Sequence, residues 1–139
     1  LHFFDIEKRE FVVACTRGTN VERLLLARHP NADACLGQAT RTKHAVVISR
    51  VEPIPDRFSL TGGLESAVLA PLWPHGRFVG ALEVINPSDG HPFTVDDANA
   101  FTYIAEQFAE YIGSRGIVLE TARLSRRPPP PQMAPPAAR

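Results

Sequence analysis

Few side chains in this sequence have the type and spacing to do chemistry, and each has an ordinary structural alternative. Glu83 stands out because it lies inside the apolar run Arg77–Asn86, on the same alternating face as Val79, Ala81 and Ile85. A carboxylate buried there without a partner would be strongly destabilising. It therefore meets a donor on a ligand or water, or it reaches solvent or an arginine near a strand end. Arg57 offers a planar guanidinium able to hold a carboxylate or phosphate through two bonds. Beside Asp56 it reads equally well as a solvated surface arginine. Gly62-Gly63 either brings backbone N–H groups to an anion or makes a simple turn. Cys15 shares a face with Phe11 and Val13 and reads as a buried, inert thiol. Cys35, just after Asp33, is the candidate nucleophile, with a thiol pKa lowered by a helix N-terminus. The histidines, His2, His29, His44, His75 and His91, show no i, i+4 pair that would bind a metal. No nucleophile elbow, P-loop or dinucleotide glycine pattern occurs.

The elements that must position these groups are legible in outline. Leu1–Ile6 and Glu10–Thr16 are Phe- and Val-rich runs around a polar turn, Glu7-Lys8-Arg9, and read as two paired strands. Val21–Arg28 fits a short helix or a buried strand, and His29-Pro30-Asn31 breaks the chain. Asp33 is placed to cap a short helix over Ala34–Thr42. Ala45–Ser49 is a β-branched strand, and Glu52–Gly63 is a long loop with room for a helical turn. Ser66–Trp73 and Arg77–Asn86 form a second hairpin around Pro74-His75-Gly76. Asn86–Pro92 is turn chemistry. Thr94 and Asp97 have capping-box spacing at the start of a helix, which buries Phe101, Ile104, Ala105, Phe108 and Ile112 as a 3.6-residue stripe that resumes at Leu119.

The chain has 139 residues, 44% apolar and 22% charged, which fits one globular domain with its own core. Formal net charge is zero, so no global field recruits nucleic acid or an anionic membrane. No apolar run approaches a membrane span. Two cysteines point to a reducing, cytoplasmic setting. The sequence opens on Leu1 inside an apolar run, from which we expect a natural N-terminus further upstream. Six of the 13 prolines fall in the last 15 residues, so the expected organisation is a domain over 1–116, a helix extension or linker over 117–127, and a disordered proline-rich tail over 128–139.

With its hairpin residues Pro71, Leu72, Gly76, Gly80 and Asn86 and its helix entry at Phe93 to Asp97, the chain resembles the GAF domain, a sensory module of signalling proteins. The resemblance rests also on the helix stripe and, upstream, on Leu36-Gly37-Gln38-Ala39 and Ala45–Ile48. It covers about Leu1 to Ile112 and implies an α+β fold: an antiparallel sheet of five or six strands with helices on both faces, GAF/PAS-like. The terminal helix would cover one face and a lid, Ala34–Gly63, would enclose a ligand pocket on the other. The family's first helix is missing, which implies an exposed apolar face and pairing between chains.

On this resemblance the pocket-lining set is Cys35, Gln38, Arg57, Phe58, Leu64 and Glu83. No cofactor is specified. Asn86, Phe93 and Asp97 match the signature of cyclic-nucleotide-binding relatives, but Pro87 and Ala98 replace its Lys and Glu. Leu36 after Cys35 departs from the Cys-His pair of many bilin-attaching relatives, and Ser49-Arg50 stands where the family often has an aspartate. The expectation is a non-enzymatic sensor that binds a small molecule of unknown identity, pairs as a homodimer through its C-terminal helix and relays to an effector domain or partner protein, without direct nucleic-acid or membrane contact. The alternatives are a ligand-free docking or dimerisation module and a thiol enzyme of the methionine sulfoxide reductase type using Cys35. The tail reads as a linker or as a ligand for a polyproline-reading domain.

Overall fold

A computed structural model describes residues 1–19, 21–49 and 51–115. The expectations placed on Leu119, on residues 117–127 and on the tail 128–139 lie outside them. Six antiparallel strands form one sheet in the order β3-β2-β1-β6-β5-β4. β1 (His2–Asp5) and β2 (Glu10–Val13) pair across the polar turn, with Phe4 opposite Phe11. β5 (Ala67–Leu72) pairs with β6 (Gly80–Ile85) along its whole length, and β4 (Val46–Ile48) closes the far edge. The centre of the sheet is made where β1 meets β6, His2 opposite Ala81. An ideal Cβ on Gly80 would lie 2.0 Å from the His2 carbonyl oxygen, so this close approach requires glycine.

β3 (Arg28–Pro30) corrects the expectation of a chain break at His29-Pro30. The segment pairs with β2 as an edge strand, where a proline lacking an N–H is tolerated. The ambiguous run before it resolves into a 3₁₀ turn, Glu22–Leu24.

Every position of β5 is buried, because the sheet is covered on both faces. Ala67 and Leu69 join Phe11, Leu36, Ile48 and Phe58 in one core. Ala70 and Leu72 join Phe3, Ala105, Ala109 and Ile112 in the other. The first core lies under α1 (Leu36–Ala39) and the 3₁₀ turn Asp56–Thr61; the second lies under α2 (Val95–Arg115). The long helix and the lid-like connection thus occupy opposite faces of one antiparallel layer.

The capping box forms as the spacing predicts. The Thr94 N–H donates to Asp97 Oδ2 at 2.7 Å, and the Asp97 N–H donates to Thr94 Oγ1 at 3.2 Å. Ile104, expected in the buried stripe, is 52% exposed. Alanines 98, 105 and 109 face the sheet and let α2 approach closely, so Phe101 and Phe108 flank the contact and Ile104 turns outward. α1 is shorter than the expected 34–42. Asp33 Oδ1 accepts the N–H groups of Cys35 and Leu36, each at 2.9 Å, and so caps the turn from just outside it.

Candidate functional site

The alternation of β6 sends Ala81, Glu83 and Ile85 to the lid face. Glu83 is buried there and has two partners from distant segments. Arg57, carried by the turn Asp56–Thr61, donates from Nη2 to Glu83 Oε1 at 2.8 Å and from Nε to Oε2 at 3.4 Å. His2 of β1 meets Glu83 Oε2 through Nε2 at 2.9 Å. The other arm of Arg57 bonds Asp33 Oδ2, ahead of α1. One guanidinium therefore ties the lid turn both to the sheet and to the segment that starts α1. It also lies over the Phe58 ring, 4.4 Å from its centroid.

Electrostatics follow from this geometry. Burial pushes the Glu83 carboxyl up, but the His2 hydrogen bond and the Arg57 guanidinium overcome it and hold the group down at about 2. Burial pulls Arg57 down; Glu83, through its charge and its hydrogen bond, and then Asp33 raise its pKa above the ordinary value. With Glu83 ionised, the His2 Nε2–H is the donor, and His2 Nδ1 is left buried without a hydrogen-bond partner among the described residues. His29 lies nearby, its ring 6.2 Å from that of His2. Burial, then the Arg57 charge, keeps His29 below its usual pKa.

A cleft of about 330 Å³ opens beside this network. His2, Arg57 and Glu83 form its polar floor, Val13, Phe58 and Ile85 supply apolar wall, and Val21, Leu24 and Arg17 border it from the β2–β3 connection. Its size and its pairing of apolar walls with a few convergent polar groups are those of small-molecule sites.

Of the six residues singled out in the sequence, Arg57, Phe58 and Glu83 meet at this cleft. Cys35 packs in the adjoining core, fully buried, with Arg57 within electrostatic reach. Gln38 turns back on its own helix, its Nε2 donating to Ala34 O at 3.0 Å, and Leu64 packs against the lid-face core. Arg57 is 4% exposed, which corrects its reading as a solvated surface arginine. The lowered pKa expected for Cys35 is also corrected: burial raises the thiol to about 11. Cys15, expected to be buried, is exposed because it lies beyond the end of β2.

Asn86 closes the β6 end as a structural clasp, accepting the Glu65 N–H at 2.8 Å and donating to Gly63 O at 2.8 Å. Gly63 donates its N–H to Phe58 O at 2.8 Å, so Gly62-Gly63 terminates the lid turn. His2 and Asp33 complete the network and were not singled out as site residues. The available signal was the two-residue alternation that puts His2 on the face of Phe4, combined with strand pairing that only the fold supplies.

The sheet order, the two-sided cover and the cleft under the lid define a class of domain, and comparison with known proteins agrees. The model of the GAF domain family matches residues 8–112, and the chain belongs to that family. The second GAF domain of DevS from Mycobacterium smegmatis is similar in structure, with a TM-score of 0.67 and 21% identity, over 89% of this chain and 83% of that one. Free methionine-R-sulfoxide reductase from Neisseria meningitidis, solved with its substrate, superposes with a TM-score of 0.59 and 24% identity, over 84% and 68% of the two chains. The GAF domain of a phosphoenolpyruvate-protein phosphotransferase from Coxiella burnetii gives 0.63 and 16%, over 84% and 73%. No curated protein sequence matches the chain significantly. GAF domains are typically sensory or regulatory modules, and at these identities the structural likenesses bear on the fold alone.

Proposed function

We propose that this GAF domain senses a small molecule in the cleft above His2, Arg57 and Glu83 and reports it by moving the Arg57 latch. The observation that carries this is the cleft itself, an apolar-walled space of about 330 Å³ over a buried, charged floor that joins lid to sheet. A ligand with a polar end would compete for the hydrogen bonds among these three side chains. The lid turn Asp56–Thr61 would then shift its population between docked and released states. Arg57, Phe58 and Glu83 are the ligand-facing residues in this proposal, with Cys35 packed behind Arg57 and with Gln38 and Leu64 shaping the lid.

Relay would run from β6 to β5 and on to α2, which packs against β5 and β4. The outer face of α2 carries Ile104 and Tyr111, each 52% exposed, alternating with the half-buried Phe101 and Phe108. This 3–4 spacing suits a helix from a second copy, making α2 the homodimer seam that would carry the signal to an effector.

Titration of the full chain against nucleotides, amino acids, oxoacids and haem tests the proposal, with Leu24→Trp as the comparison because its half-buried position borders the cleft. Binding by the wild type and its loss in Leu24→Trp is the expected pair of results. Silence across the panel favours a second reading, a ligand-free docking module. That reading is supported by the complete burial of Phe58, which fills much of the lid-face core with the chain's own side chain.

A further inference from the structure

A second groove, of about 400 Å³, lies on the opposite face of the sheet, between the β4–β5 side and the outer edge of α2. Pro71, Trp73 and Pro74 form one wall, and Glu106 and Glu110 form the other. The two glutamates sit one helical turn apart, and neither has an ion-pair partner among the described residues. Like charges at that spacing oppose each other unless a cation comes between them. Trp73 is half-buried and held in place, its indole N–H donating to Thr42 O at 3.0 Å and its ring packed against Phe78. The ring already receives a cation, since Lys43 Nζ stands 3.4 Å from its centroid.

An indole beside prolines, flanked by carboxylates, is chemistry that takes a polyproline-II segment with an adjacent arginine. The sequence contains a run of that composition, Arg126-Arg127-Pro128-Pro129-Pro130-Pro131, outside the described residues. The route to it starts at the groove. The last turns of α2 pack against Pro74–Gly76 so closely that a Cβ on Gly113 would lie 2.7 Å from His75 Nε2. From Arg115 back to Glu106 is about 14 Å along the helix, and residues 116–125 reach about 33 Å when extended.

We propose that this groove is the docking site of the chain's own segment 126–131, with the prolines against Trp73 and Pro74 and the two arginines toward Glu106 and Glu110. With the prolines taking the face of the indole, the tail displaces Lys43 from the ring. The tail would thereby brace α2 against the sheet and mask this face until something draws it away.

Trp73 is the sole tryptophan of the chain, so its fluorescence reads the groove directly. The test uses the full chain and its R126E/R127E variant, whose substitutions lie outside the described fold. The tail variant should show greater acrylamide quenching and a red-shifted emission, unchanged by dilution. A synthetic peptide of residues 122–133 should restore the wild-type emission. A tethered tail acts at an effective concentration on the order of 1 mM, so if the peptide's affinity is about 100 μM it should bind wild type roughly tenfold more weakly than R126E/R127E. E106Q/E110Q should lose the peptide response. Equal quenching in wild type and R126E/R127E, or equal peptide affinity for both, overturns the proposal. A quenching difference that vanishes on dilution also overturns it, by assigning the groove to the tail of a second copy.

Discussion

Replacing Arg57 with methionine perturbs the latch directly. The substitution keeps most of the side-chain volume but removes the only ion-pair partner that Asp33 has among the described residues and one of the two that Glu83 has. Breaking a buried ion pair from one side typically costs about 3–5 kcal/mol, because the remaining charges are uncompensated. The depressed Glu83 carboxyl, held down by His2 as well as by Arg57, gives a second magnitude. Glu83 goes from 4.5 unfolded to about 2 folded, which at about 1.4 kcal/mol per unit corresponds to roughly 3 kcal/mol. The folded pKa is depressed, so this stability is fully present above the unfolded value and is lost as pH falls from about 5 toward about 2.

In Arg57→Met burial raises the Glu83 pKa with less opposition, so acid should hurt the variant less than the wild type. Urea denaturation followed by Trp73 fluorescence at pH 7 and in steps from about pH 5 down to about pH 3 measures both effects. We expect a deficit of about 3–5 kcal/mol at pH 7, narrowing as the pH is lowered. In the double variant with Glu83→Gln the losses should be non-additive by more than about 0.5 kcal/mol. Arg57→Lys, which keeps the charge without the fork, should fall between wild type and Arg57→Met. A deficit below about 1 kcal/mol at pH 7 with a wild-type pH slope, together with additive losses, would refute the latch, since only a surface pair behaves so.

Three further outcomes follow from the geometry. Thiol labelling of the native protein should modify Cys15 rapidly and Cys35 only on unfolding, because Cys15 is exposed and Cys35 is buried with its thiol raised to about 11; rapid modification of both would restore the thiol-enzyme alternative. Gly80→Ala should destabilise by at least about 2 kcal/mol, since its Cβ has no room against the β1 backbone, and unchanged chemical denaturation would contradict the β1–β6 register. Thr94→Ala should cost about 1 kcal/mol through loss of the cap, measured by the same method, and no loss would place the stability of α2 wholly in its packing.

The sequence makes the sheet legible where side-chain period and turn chemistry agree, as in β5 and β6 around Pro74-His75-Gly76 and in the Thr94–Asp97 cap. It misleads where long-range pairing decides. Pro30 signals a break locally, yet an edge position next to β2 tolerates it. The apolar spacing of α2 includes Ile104, but only the sheet's preference for the alanine face shows which stripe is buried. Glu83 is conspicuous as a carboxylate in an apolar strand, and pairing with an arginine was one of its two readings. That Arg57 is this partner depends on a lid fold no short-range pattern encodes, as does the recruitment of His2, 81 positions away.

The claim on which the functional account rests is that the cleft over Glu83 accepts a small molecule. Methyl NMR of the full chain, titrated with mixtures of small polar metabolites, tests it most directly. We predict that at least one mixture shifts the methyl signals of Val13, Val21, Leu24 and Ile85 together, and that Leu24→Trp abolishes the shifts of the remaining three. Signals that stay fixed throughout, or that move equally in Leu24→Trp, would contradict it.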